Sequence, residues 1–110
     1  MTIQFVKTKA TSSPKQYILG TTVDIETILS DELSSADTIT VQIEDSWDRI
    51  KIQDAAMTEV TPSVYNYLWQ STAGGVTDEA GIYTAFITVT TNGQIYIDST
   101  EFEMINILED

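Results

Sequence analysis

Ser63-Val64-Tyr65-Asn66-Tyr67-Leu68-Trp69-Gln70 leads through a polar loop to Asp78-Glu79-Ala80-Gly81, and Ile82-Tyr83-Thr84-Ala85-Phe86-Ile87-Thr88-Val89-Thr90 follows. The turn Thr91-Asn92-Gly93 then passes to Gln94-Ile95-Tyr96-Ile97-Asp98. Apolar and β-branched residues at period 2, punctuated by Asn-Gly, read as strand, corner, strand, tight turn and strand. Tyr65, Tyr67 and Trp69 share one face of the first strand, with Val64 and Leu68 on the other. The aromatic face packs into a core, or forms a platform for a sugar or a partner. The stretch decides the fold and holds no reaction centre.

The same alternation extends upstream. Ile39, Val41 and Ile43 point inward, with Thr40, Gln42 and Glu44 outward. Val23, Ile25 and Thr27 oppose Asp24, Glu26 and Ile28. Ser30 to Ala36 is a loop with Leu33 as a plug, and Asp45-Ser46-Trp47-Asp48 is a turn. Arg49 to Ile52 pairs back, and a second extended piece runs from Asp54 to Val60. Pro62 limits pairing into the next strand. In residues 2–9, Ile3, Phe5 and Lys7 point one way, with Val6 breaking the pattern as an edge strand would. Several short strands with turns every 8–12 residues and no helical period predict an all-β sandwich of about seven to eight antiparallel strands. One domain spans 1–110, with 1–20 as an arm or edge strand and 20–104 as the sandwich core.

Composition removes whole classes of function. The chain has 110 residues, no Cys and no His. Disulfides, thiolate metal sites and the commonest general base are therefore absent. Seventeen acidic residues face five basic ones, a formal charge of -12. That field repels phosphate, which argues against nucleic acid as a partner. The acids are dispersed along the chain. They fit an ordinary acidic domain or a surface adapted to high salt. No apolar run is long enough for membrane insertion, and no signal peptide is legible.

Glu79-Ala80-Gly81-Ile82-Tyr83-Thr84-Ala85 resembles the tyrosine corner of immunoglobulin-like domains. The resemblance makes Glu79, Gly81, Tyr83, Asn92 and Gly93 fold determinants, with the Tyr83 hydroxyl bonding back to the backbone. Ala85 stands where antibody domains place a Cys, and the partner Cys and strand-C Trp are missing. Taken with Val64 to Trp69 and the Asn-Gly hairpin, the pattern over about residues 20–104 resembles the small immunoglobulin-like structural proteins of tailed viruses. The resemblance implies a virion subunit made in the host cytoplasm. It would be a capsid decoration or turret, or a head–tail or tail component, with other virion proteins and copies of itself as partners.

The residues form no catalytic, cofactor-binding or metal-ligating set. Asp45 with Asp48, and Asp24 with Glu26, read as solvated surface carboxylates; a cation site would need more oxygens. Gly74-Gly75 lacks the Lys of a phosphate loop and reads as a loop tip. Trp47 in its polar turn is a candidate interface anchor. So are the chain ends, through Ile3, Phe5, Ile105, Ile107 and Leu108. The alternative is a recognition module binding carbohydrate or a host surface through Trp47.

Overall fold

Alternation becomes strand through most of the chain. The computed structural model describes residues 4–10, 16–72 and 79–105. Among these residues the strands are β1 (Phe5–Ala10), β2 (Gln16–Ile18), β3 (Thr22–Leu29), β4 (Thr38–Glu44) and β5 (Ile50–Ala56), then β6 (Thr58–Thr61), β7 (Val64–Gln70), β8 (Gly81–Thr91) and β9 (Gln94–Ile105). No described segment is helical, and none is a helix long and apolar enough to cross a membrane. The strands form two sheets, ordered β1-β3-β7-β6 and β2-β9-β8-β4-β5.

Nine described strands exceed the seven to eight expected, and one pair, β2 with β9, is parallel. The cause is the route of the chain. β1 runs antiparallel to β3 along the edge of one sheet. β2 lies at the edge of the other sheet, beside β9 and in the same direction. The extra short strands also come from a corner: β5 and β6 part at Met57, which is buried, and belong to different sheets. The break thus falls at Met57, later than the expected break before Asp54.

The core lies between the sheets. Val23, Ile25 and Leu29 of one sheet meet Ile39, Val41, Ile43, Ala85, Ile87 and Val89 of the other. Each large apolar side chain so buried stabilises the fold by about 1.5–3 kcal/mol. Thr27 is fully buried and satisfied, its hydroxyl lying 2.8 Å from that of Thr8. In place of a disulfide, an aromatic cluster bridges the sheets. The Trp69 and Tyr83 rings are 5.6 Å apart, and Tyr83 and Phe102 are 5.7 Å apart. Tyr17 stands edge-on to Phe102 at 5.9 Å.

β1 departs from the expected phase. Its register shifts between Phe5 and Lys7, where Val6 bulges out. Lys7 and Lys9 therefore face outward while Thr8 and Ala10 turn inward, so Phe5 and Lys7 do not share a face.

Candidate functional site

Pairing fixes which loops share a pole of this molecule, whose principal extents are 51 × 24 × 17 Å. β4 and β8 run oppositely, with Thr38 beside Thr90 and Glu44 beside Thr84. The Asp45–Arg49 loop therefore lies at the pole where β8 begins and β9 ends. The Asn92-Gly93 turn lies at the other pole.

Asp45 builds the first pole. Its side chain is 1% exposed. One carboxylate oxygen accepts the amides of Trp47 at 2.8 Å and Arg49 at 2.9 Å, and the other accepts Arg49 Nε at 2.8 Å. Burial alone would raise this carboxyl. The Arg49 and Trp47 amides and the Arg49 guanidinium outweigh it and hold the group below the ordinary 3.8. Asp48 takes a left-handed conformation at φ 60° and closes the loop, with the Asp45 amide donating to the Arg49 carbonyl at 3.0 Å. Asp45 is thus an internal scaffold of the turn, and the expectation of a solvated carboxylate fails for it. A turn whose amides are orphaned needs a buried acceptor, and Asp at the loop's first position supplies one.

The same arginine ties this loop to the corner before β8. Arg49 Nη2 lies 3.4 Å from Glu79 Oε1. The Tyr83 hydroxyl donates to the Glu79 carbonyl at 2.6 Å and accepts the Glu79 amide at 3.2 Å. This is the back-bond expected of Tyr83. Gly81 has φ 147°, and a β-carbon there would stand 2.7 Å from Ser46 Oγ. Glycine is required because the two loops touch there. At the other pole, Asn92 and Gly93 have φ 52° and 75°, the positive pair of a tight hairpin turn.

This lattice leaves Trp47 outside, 70% exposed at the tip. Its indole is free of the core while its amide is locked to Asp45, so the ring is presented from a fixed base. Ile105 sits at the same pole, half-buried, its carbonyl accepting the Leu19 amide at 2.9 Å. Phe5 pairs with Leu29 at the opposite pole and packs partly on the core. Among the described candidates, Trp47 and Ile105 share a pole and Phe5 lies at the other. Phe102 and Met104, in the strand that carries Ile105, are core residues, 2% and 0% exposed. Ile3, Ile107, Leu108 and Gly74-Gly75 lie outside the described residues.

Tyr65 and Trp69 are buried and Tyr67 half-buried, so this face belongs to the core. Glu26 pairs with Lys9 at 3.5 Å. Among the described residues, no three acidic side chains gather as a metal centre would require. The outer face of the five-stranded sheet was missed by sequence reasoning. Ile95 and Ile97 are 65% and 62% exposed there, and a groove of about 250 Å³ runs beside them. The signal was present: Phe86, Ile95 and Ile97 occupy the outward phase of their strands.

No protein-family model matches the chain, and no curated protein matches it.

Proposed function

We propose that this chain is an immunoglobulin-like β-sandwich serving as a non-catalytic structural subunit of a tailed virus particle. Capsid decoration or turret comes first, and a head–tail or tail component second. The observation that carries the fold reading is the Tyr83 corner, with its hydroxyl doubly bonded to the Glu79 backbone. Sheet order supports it. β1-β3-β7-β6 follows the A-B-E-D order of immunoglobulin sheets, and β9-β8-β4 the G-F-C order, with β2 and β5 added at its two edges. The virion reading rests on the resemblance of residues 20–104 to small immunoglobulin-like virion proteins. A sequence without His or Cys suits a part that works by shape and edge complementarity. Other virion proteins and further copies of the chain are its partners, and the charge of -12 suits a particle exposed to high salt.

Trp47 favours a second reading, a module that recognises a carbohydrate or host surface. An exposed indole on an ordered turn is the kind of residue that anchors such contacts. Cosedimentation separates the two. In 2 M salt the purified chain is expected to form oligomers or to pellet with particles stripped of it. A monodisperse monomer that stays in the supernatant overturns the virion reading. Saturable glycan binding that Trp47→Ala abolishes establishes the second.

A further inference from the structure

The outer face of the five-stranded sheet carries a groove of about 250 Å³ lined by Gln42, Glu44, Asp54, Phe86, Thr88 and Ile97. These residues come together through register. Gln42 pairs with Phe86, and Thr88 with Ile97, so one band of side chains crosses β4, β8 and β9. Asp54 joins them from the edge strand. Between Val41–Ala55 and Ile43–Ile52 the pairing slips, so Gln53 and Asp54 stand opposite Gln42 alone. Asp54 takes φ 49° in this bulge. Such bulges re-aim side chains.

The floor of the groove is apolar and its wall is acidic. Phe86 and Ile97 form the floor, continued by exposed Ile95. Gln42 Nε2 donates to Glu44 Oε2 at 2.8 Å and orients that carboxylate. The ion pairs Lys9–Glu26, Arg49–Asp45 and Arg49–Glu79 engage neither Glu44 nor Asp54. The volume is below the roughly 300–1,000 Å³ of small-molecule pockets, and it suits one long side chain.

We infer that this groove is a docking site for a partner protein presenting an arginine from an apolar strand or loop. Charge complementarity selects the occupant. A guanidinium stacks on the Phe86 ring while its N–H groups reach Glu44 and Asp54, and apolar neighbours cover Ile95 and Ile97. A second copy of this chain is disfavoured, because its five basic residues accompany seventeen acidic ones. The inference does not rest on the virion reading; a partner of this chemistry fits the groove in any assembly.

The test is NMR titration of the full chain with Nα-acetyl-arginine methylamide, and with the uncharged citrulline counterpart. Arginine is expected to shift the amides of Gln42, Asp54, Phe86, Thr88 and Ile97, with the citrulline compound at least fivefold weaker. Asp54→Gly removes one carboxylate while relieving the positive φ, so the fold survives. It is expected to weaken arginine at least threefold, as is Phe86→Leu. Equal shifts by both compounds, shifts spread over the acidic surface, or arginine binding unchanged in Asp54→Gly would overturn the inference. Concentration-dependent shifts of this face without any probe would also overturn it, assigning the groove to a second copy.

Discussion

Replacing Asp45 with Asn tests the scaffold beneath Trp47. The side chain is 1% exposed and accepts three hydrogen bonds, two from turn amides and one from Arg49 Nε. Asn keeps one acceptor oxygen for the amides. It loses the charge on all three bonds and turns an N–H group toward the guanidinium. Hydrogen bonds to charged acceptors contribute about 1.5–3 kcal/mol each, but both amides lie in an exposed turn and rehydrate. Arg49 is half-exposed, which discounts its share. The net loss is about 2 kcal/mol, or about 8 °C in Tm for a domain of this size. The pH dependence follows from the depressed carboxyl. A group held below its ordinary value adds stability above that value and gives it up as pH falls through the folded one. The gap between wild type and Asp45→Asn is therefore full at pH 7 and narrows below the ordinary 3.8. Thermal unfolding by circular dichroism at pH 7, 5 and 3 measures it. A loss under about 0.5 kcal/mol at pH 7, the usual size of a surface change, refutes the scaffold role. So does a gap that stays constant down to pH 3.

Other perturbations give graded outcomes. Gly81→Ala forces a β-carbon to within 2.7 Å of Ser46 Oγ at φ 147°, whereas Gly93→Ala meets nothing within 4 Å. Urea unfolding should show a loss of about 2–3 kcal/mol for the first and about 1 for the second; equal losses contradict the loop contact. Tyr83→Phe removes both bonds to the Glu79 backbone and should lower stability by about 1–2 kcal/mol without altering the far-ultraviolet spectrum. A neutral result means the corner is not holding its loop. Raising salt from 0.05 to 1 M should raise Tm, because screening relieves the repulsion of a chain with net charge -12. A fall in Tm contradicts this.

Local period carried most of the fold. The inward sets of β3 and β4, the Tyr83 corner and the Asn92-Gly93 turn are each written in a few neighbouring residues. What was not legible depends on distant partners. The Val6 bulge inverts the phase of β1, and only pairing with β3 reveals it. The parallel β2 is three residues long, too short for any periodic signal. Phe102 and Met104 lie in a strand that alternates apolar with acidic up to Met104, and beyond it the sequence is apolar in both phases; the core face emerges once β9 is registered on β8. The site was legible in part. Trp47 stood out because its neighbours are polar, and it is exposed. Asp45 looked like those neighbours, and its burial comes from folding the loop onto it. The Gln42–Asp54–Phe86 groove joins three segments that no linear pattern connects.

The most direct measurement of the proposed role is the abundance of this chain in density-gradient-purified particles from cells that carry its gene, quantified by mass spectrometry against the major shell protein. A structural subunit is expected at a fixed stoichiometry that persists through repeated banding in high salt. A chain that stays with the soluble cell fraction, or whose ratio falls with each banding, contradicts the role.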